Sequence, residues 1–425
     1  MKILAIETSC DDTGVAILEV PASAKGSGVA KKGKFKVLSN IVSSQQIHAN
    51  YGGVFPMMAK REHQVNLVPV LTQALKQAKL LKNKSLTKST AVKNVRQMGI
   101  IEKILEKENT LFESVKSFLE KYEKPNIDYI AVTHGPGLEP CLWVGVNFAK
   151  ALSYFWDIPV IPVNHIEAHI AVNFLPKING NSKSEILNPK TTFPAIALIV
   201  SGGHTQLILM KKIGDYEIIG ETRDDAAGEC FDKAARILHL GYPGGPRISA
   251  LAGVAKMTIL LNALIPGDSS EPLPQAIHLP RPMMHTKDYD FSFSGLKTAV
   301  LYMVRDKLKD SPKDQEDLDS DFVGQMCIAI EEAICDVLIK KTLNAAKDFK
   351  VKTIILGGGV SANSELREQF RLKVKGEGLK VKIIVPDPKL STDNGLMIAV
   401  AGYFNKAKKI AWQKLSVNAN LRVSK

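Results

Sequence analysis

The sequence predicts an α/β protein made of two similar lobes around a cleft, and three observations carry that expectation. An apolar run over residues 1–6 breaks at the polar turn 7–14 and resumes over 15–18, which reads as strand, turn, strand. The same grammar returns as an apolar run over 193–200, the turn Ser201-Gly202-Gly203-His204-Thr205 and a second run over 206–210, so the chain reads as internally duplicated. Later, the apolar strand 353–356 runs into Gly357-Gly358-Gly359 and then a helix beginning near Ser364, and glycines at such a turn let backbone N–H groups approach a nucleotide closely.

At 425 residues the chain exceeds one ordinary core and suits two domains of roughly 100–200 residues. The boundary is expected in the Pro-, Asn-, Ser- and Lys-rich stretch 177–193, dividing 1–185 from 186–425. After the first hairpin come a polar excursion over 21–36, a strand over 37–42 and a long helix over 59–80. Residues 82–126 then read as an insertion before the strand 129–132. In it Ile100, Ile101, Ile104, Leu105, Leu111, Phe112, Val115, Phe118 and Leu119 recur at helical spacing among Lys and Glu, the pattern of a helical hairpin packed on the lobe. In the second half, 253–279 reads as a loop insertion ending in a Pro-rich surface loop. The last helix, over about 395–410, is expected to pack back on the first lobe.

The net charge of +13 favours a polyanionic partner, with a negative membrane surface or simple solubility as the alternatives. No uninterrupted run of about 18 apolar residues occurs, and residues 1–18 read as strands and not as a signal peptide, which predicts a soluble, cytoplasmic protein. Five cysteines, Cys10, Cys141, Cys230, Cys327 and Cys335, contain no C-x-x-C pair. They indicate neither a disulfide framework nor a thiolate metal site and read as small buried hydrophobes.

His165 and His169 stand four apart in Asn164-His165-Ile166-Glu167-Ala168-His169, so on a helix both imidazoles share a face and can bind one metal, with Asp393 of Thr392-Asp393-Asn394-Gly395 as a third ligand. The competing reading is a pair of ordinary core or surface histidines. Glu167 points to roughly the opposite side at about 100° per residue, so it reads as a surface carboxylate or one behind the ligands. The order His-x-Glu-x-His therefore speaks against a zinc peptidase, whose base directly follows the first histidine. Asp11 and Asp12 sit at the tip of the first hairpin, facing the cleft if the duplication holds; an Asx turn explains Asp11 equally well. The glycine turns lack the lysine of a P-loop, which suits holding an adenylate through backbone amides.

Two hairpin turns facing each other across a cleft, with a glycine loop under an adenosine, are the layout of the actin, sugar-kinase and heat-shock ATPase (ASKHA) superfamily, two RNase H-like lobes around a nucleotide cleft. The motifs IETSCDDT, YGGVFPMMAKREH, HGPGL, NHIEAH, VSGGHTQL, DDAAGECFDKAAR, YPGGP, DFSFSGLK, GGGVSAN and STDNG span nearly the whole chain. By them the chain resembles the TsaD family, the tRNA N6-adenosine threonylcarbamoyltransferases, in its bacterial and mitochondrial branch. The resemblance implies transfer of a threonylcarbamoyl group from threonylcarbamoyl-AMP to the N6 amine of the adenosine 3′ of the anticodon, in tRNAs reading codons that begin with A, with release of AMP. It implies one divalent metal, Fe2+ or Zn2+, on His165, His169 and Asp393, and a cleft that AMP or ATP can also occupy.

The resemblance also places Ile199, Val200, Ser201, Gly202, Gly203, Asp232, Gly245 and Asn363 on the adenylate. Asp232 would accept ribose hydroxyls, Gly245 leave room for the sugar, and Asn363 read the adenine edge or orient its loop. Asp11 would orient the metal, its water or the attacking amine. At Asp12 family members usually carry Glu, and Asp reaches about one methylene less. The implied partners are tRNA with a TsaB-like paralogue and a TsaE-like ATPase, or a homodimer, and no membrane. The rivals are a small-molecule kinase of the same superfamily and a non-catalytic tRNA-binding scaffold. The family resemblance lapses over 82–126, where a surplus of lysine leaves tRNA contact open beside a solvated helix face.

Overall fold

A computed structural model of the chain describes residues 1–20, 35–84, 91–175, 193–264, 276–309 and 318–424. The expected domain boundary, nearly all of the polar excursion over 21–36 and the Pro-rich stretch after 264 lie outside the described residues. Two five-stranded sheets organise the rest. The first holds β1 (Lys2–Glu7), β2 (Asp12–Glu19), β3 (Lys36–Ser44), β4 (Tyr129–Gly135) and β5 (Val160–Asn164) in the order β3-β2-β1-β4-β5. The second holds β6 (Ala195–Val200), β7 (Thr205–Lys212), β8 (Asp215–Glu221), β9 (Thr353–Gly357) and β10 (Lys382–Ile384) in the order β8-β7-β6-β9-β10.

In each sheet the first three strands form an antiparallel meander, and the last two run parallel to the first. The two halves therefore share one topology, and the duplicated ASKHA architecture expected from the paired hairpins is present. The central strand of the second sheet is apolar throughout because both sheet faces are covered: every residue of Ala195–Val200 is buried.

One face of the first sheet packs against α1 (Pro56–Gln77), α2 (Ala91–Ile104), α3 (Asn109–Lys121) and α4 (Glu139–Trp156). Within the 82–126 insertion, Ile101, Leu105, Leu111, Val115, Phe118 and Leu119 are buried in that core, while Ile100, Ile104 and Phe112 are half-buried. The helical pair is thus part of the lobe's own core. One face of the second sheet carries α6 (Ala227–Ile237), α7 (Gly244–Leu264), α8 (Ser294–Lys309), α9 (Ser320–Asp348) and α10 (Ser364–Gly376).

The two remaining faces are covered by an exchange. Helix α5 (His165–Ala171) follows β5 of the first sheet, yet Ile166 and Ile170 pack with Ala195, Ala197, Ile199 and Ile355 of the second. Helix α11 (Gly395–Phe404) follows β10 of the second sheet, yet Leu396, Ile398 and Val400 pack with Ile3, Ala5, Ala16 and Leu18 of the first. The two helices lie against each other between the sheets. The C-terminal segment then returns along the cleft: Asn418 N–H donates to the His134 carbonyl at 2.9 Å, and Arg422 pairs with Glu221 of β8 at 2.9 Å.

Two boundaries differ from the sequence expectation. The last helix stops at Phe404 and not near 410, where the Asn405 side chain turns back to the Ala401 carbonyl at 3.1 Å. Residues 253–264, expected as loop, continue α7, because the Ala-, Met- and Leu-rich run before the prolines consists of strong helix formers. This half of α7 is outside the core, with Val254 64% and Leu264 67% exposed. By length and composition α7 is also long and apolar enough to cross a membrane. Arg247 and Lys256 interrupt it, which is why a count of uninterrupted apolar residues passes over it.

Candidate metal centre and nucleotide cleft

Strand β5 ends in Asn164, whose side-chain oxygen accepts the Ile166 and Glu167 N–H groups at 2.9 and 3.1 Å and so starts α5 at His165. His165 and His169 then lie one turn apart with both rings buried and their Nε2 atoms 3.2 Å apart. Asp393 Oδ1 lies 3.5 Å from His165 Nε2 and 3.1 Å from His169 Nε2. These donors, expected from sequence to meet, do meet across more than two hundred residues.

What brings Asp393 there is a glycine contact. A Cβ on Gly14 of β2 would stand 2.7 Å from Gly395 N, and one on Gly395 would stand 2.5 Å from Ala16 N, so only glycine at both positions lets the start of α11 press on the first hairpin. Asn394 caps α11 by accepting the Met397 N–H at 3.1 Å, and it donates to the Thr392 carbonyl at 2.7 Å. Arg367 ties this loop to the glycine loop, donating to the Ser361 carbonyl at 2.5 Å and the Ser391 hydroxyl at 3.0 Å.

The charges agree with a cation-seeking centre. Burial alone would raise the Asp393 carboxyl, but the His165, His169 and His204 imidazoles hold it well below the usual carboxylate range. Burial alone would lower His165, but the Asp393 and Glu7 carboxylates push it up to about 9. At His204 the Asp393 carboxylate pulls the other way but loses: burial and then the His165 and His169 imidazoles push it down to about 4. A tetrahedral ion with bonds of about 2.0–2.1 Å puts its donors about 3.3–3.4 Å apart. The three spacings here, 3.2, 3.5 and 3.1 Å, match that requirement.

The centre opens into a cleft of about 840 Å³, within the range of ligand pockets. The first hairpin lines one side with Ser9, Cys10, Asp11 and Asp12; the second lines the other with Ser201, Gly202, Gly203 and His204. Asp232, Gly245 and Asn363 complete the second side, and His165 and Asp393 reach the same space. Burial raises the Asp11 carboxyl, and burial with the Asp393, Asp11 and Glu7 charges pushes Asp12 up to about 7 against a bond from Ser44. Cys10 faces the cleft and is only partly buried, unlike the other four cysteines.

The glycines differ in what they do. Gly202 and Gly203 have no positive φ, and a Cβ on either would meet nothing within 4 Å among the described residues, so the backbone described does not require glycine there. The space they leave belongs to the cleft. Gly358, with φ +84, is required by the chain itself, since a Cβ would stand 2.3 Å from the Val200 carbonyl. Gly245 is open to the cleft, its nearest neighbour to a Cβ being Phe231 at 3.8 Å.

Ile199 and Val200 do not line the cleft. Both are buried in β6, their side chains alternating to opposite sheet faces, and they serve by carrying the turn. Asp232 already accepts the Gly244 N–H at 2.7 Å, holding the start of α7. Asn363 accepts the Leu366 N–H at 2.8 Å and donates to Glu331 at 2.8 Å, so it orients its loop as well as facing the cleft. Glu167 is buried and not on the surface; it accepts the Tyr216 hydroxyl at 3.2 Å across the lobe junction. The sequence reading passed over Glu7, Ser9 and His204. The available signal for Glu7 was a carboxylate closing an otherwise apolar strand.

Fold and site define a class: an ASKHA-type protein whose lobes enclose a nucleotide-sized cleft, with two histidines and a carboxylate at its floor spaced so that they could hold a metal ion. The profile of TsaD, tRNA N6-adenosine threonylcarbamoyltransferase, matches residues 36–88 and 96–400, and the chain belongs to this family. It is 38% identical to the tRNA N6-adenosine threonylcarbamoyltransferase of Porphyromonas gingivalis, over 95% of this chain and 92% of that one. It is 40% identical to the protein of the same name from Thermosipho africanus, over 95% and 94%. Among solved structures it is similar to the HypF of T. kodakarensis, with a TM-score of 0.42 and 12% identity over 72% of this chain and 43% of that one.

Proposed function

We propose that the cleft holds threonylcarbamoyl-AMP and delivers its threonylcarbamoyl group to the N6 amine of the adenosine 3′ of the anticodon, in tRNAs reading codons that begin with A. The family membership makes the chain a tRNA N6-adenosine threonylcarbamoyltransferase. The observation supporting this geometry is that the adenylate side of the cleft, at Gly202, Gly203 and Asn363, and the metal donors His165 and Asp393 open into one space. The amine nitrogen attacks the carbamoyl carbon, the carbon–oxygen bond to the phosphate breaks, and AMP leaves with that oxygen.

His165, His169 and Asp393 would hold Fe2+ or Zn2+, which when bound supplies Lewis-acid polarisation of the carbonyl, worth several kcal/mol. The chain's own groups do the rest. Ser201, Gly202 and Gly203 seat the adenylate, and the space beside the two glycines admits its phosphate. Asp12, pushed up to about 7, is matched to taking the proton that the attacking amine loses near neutral pH. Asp11 orients that amine from the same turn. No covalent enzyme intermediate is required.

The reading includes a TsaB-like paralogue and a TsaE-like ATPase as partners, or a homodimer in their place, and a cytoplasmic setting. Mass spectrometry of nucleosides from tRNA incubated with threonylcarbamoyl-AMP and the protein, alone and with both partners, tests it. Threonylcarbamoyladenosine is the expected product, and its absence in both arms rejects the transfer.

A further inference from the structure

Glu7 ends β1 and is fully buried, a costly position for a carboxylate without a counterpart. Its Oε1 accepts the Ser9 N–H at 2.5 Å and its Oε2 accepts the Thr133 hydroxyl at 2.5 Å, so neither oxygen is free to turn. Oε2 is left 3.3 Å from His165 Nδ1, and among the described residues His165 is the one ion-pair partner of Glu7. The same imidazole turns its Nε2 toward His169 Nε2, 3.2 Å away, and Asp393 Oδ1, 3.5 Å away. His169 supplies an internal contrast, because its Nδ1 is buried with no hydrogen-bond partner among the described residues.

We propose that Glu7 is a positioning residue for the metal: by accepting the His165 Nδ1–H it fixes the tautomer that leaves the Nε2 lone pair aimed at the metal. His165 is then the pre-oriented ligand and His169 the adaptable one. A carboxylate is suited to this because, ionised, it only accepts, whereas the Ser9 hydroxyl, 3.1 Å from the same Nδ1, can donate or accept and so dictates nothing. Carboxylates behind ligating histidines commonly fix ring orientation and raise ligand basicity in this way. The inference rests on the reading that His165, His169 and Asp393 hold a divalent ion.

The test uses Co2+ alone, titrated into the metal-free full chain against a chromophoric chelator, with affinity and the visible cobalt spectrum as readouts. Glu7→Gln keeps the shape and is expected to weaken Co2+ binding about 10–100-fold and to shift the spectrum. Introduced into His165→Ala, the same substitution should change the residual affinity by less than about 3-fold, because Glu7 acts through His165. Ser9→Ala should stay within about 3-fold of the parent. Parental affinity in Glu7→Gln overturns the proposal, and so does a loss of equal size with and without His165, which makes Glu7 merely structural. A large loss in Ser9→Ala transfers the role to Ser9 and overturns it too. Failure of the unsubstituted chain to take up Co2+ removes the metal reading itself, whereas binding by the parent with an indifferent Glu7→Gln removes only this inference.

Discussion

The two hairpin turns occupy equivalent places, one between β1 and β2 and the other between β6 and β7, and face one cleft with opposite chemistry. The first carries Cys10, Asp11 and Asp12, with both carboxyls raised by burial. The second carries Gly202 and Gly203, which present no side chain and leave open space. The shared topology thus sets two turns opposite each other, one presenting carboxyls to the cleft and the other open space. The candidate metal donors join the two, since His165 touches Ser9 of the first turn and lies near His204 of the second.

The contrast can be broken most severely at the floor they share. His165→Ala with His169→Ala should take metal content from about one ion per chain to none by elemental analysis, since one carboxylate cannot hold a structural or catalytic ion alone. Gly203→Val should raise the requirement for adenylate about 10–100-fold, about 1.4–2.7 kcal/mol, by filling the seat. Its melting temperature should stay near that of the parent, because the turn's backbone does not need glycine. Gly14→Ala sharpens the point from the other side, with an expected loss of several degrees in melting temperature, because its Cβ would meet the backbone of Gly395.

A smaller, pH-dependent effect should mark the first turn. The Asp12 carboxyl is raised in the folded state, so the stability linked to its protonated form is fully present below the unfolded value near pH 4 and is lost as pH rises through about 7. Asp12→Asn should therefore melt higher than the parent above about pH 7 and alike below about pH 4. The same variant should lose the rise in transfer rate with pH that centres near 7 in the parent. The smallest effect belongs to Glu167→Gln, which should keep metal affinity within about 2-fold, since its carboxylate reaches Tyr216. A collapse of metal binding there would reinstate Glu167 beside the ligands.

The two hairpins, the glycine loop and the histidine pair were legible in the sequence because each is local: alternation, a turn residue, or a four-residue helical spacing. Glu7 was not, because its meaning lies in Thr133 and His165, each more than a hundred residues away. Ile199 and Val200 show the opposite failure. They belong to a recognisable motif, but strand alternation sends their side chains into the two cores, and only the turn they carry reaches the cleft. At α7 the prolines after 264 pulled the expected loop too far toward the N-terminus, across residues that are themselves good helix formers. Asp232 and Asn363 line the cleft, yet the backbone groups they already hold could be seen only in three dimensions.

The exchange of α5 and α11 means that neither lobe is a closed module. A chain cut between residues 185 and 186 would leave each half with one bare sheet face and one helix whose apolar side has no surface to meet. The halves should then be recoverable as a complementing pair but not singly, and the intact chain should melt in one cooperative step despite its two sheets. Proteolytic separation of the lobes, ordinarily a route to smaller folded pieces, would here yield fragments that each need the other to finish folding.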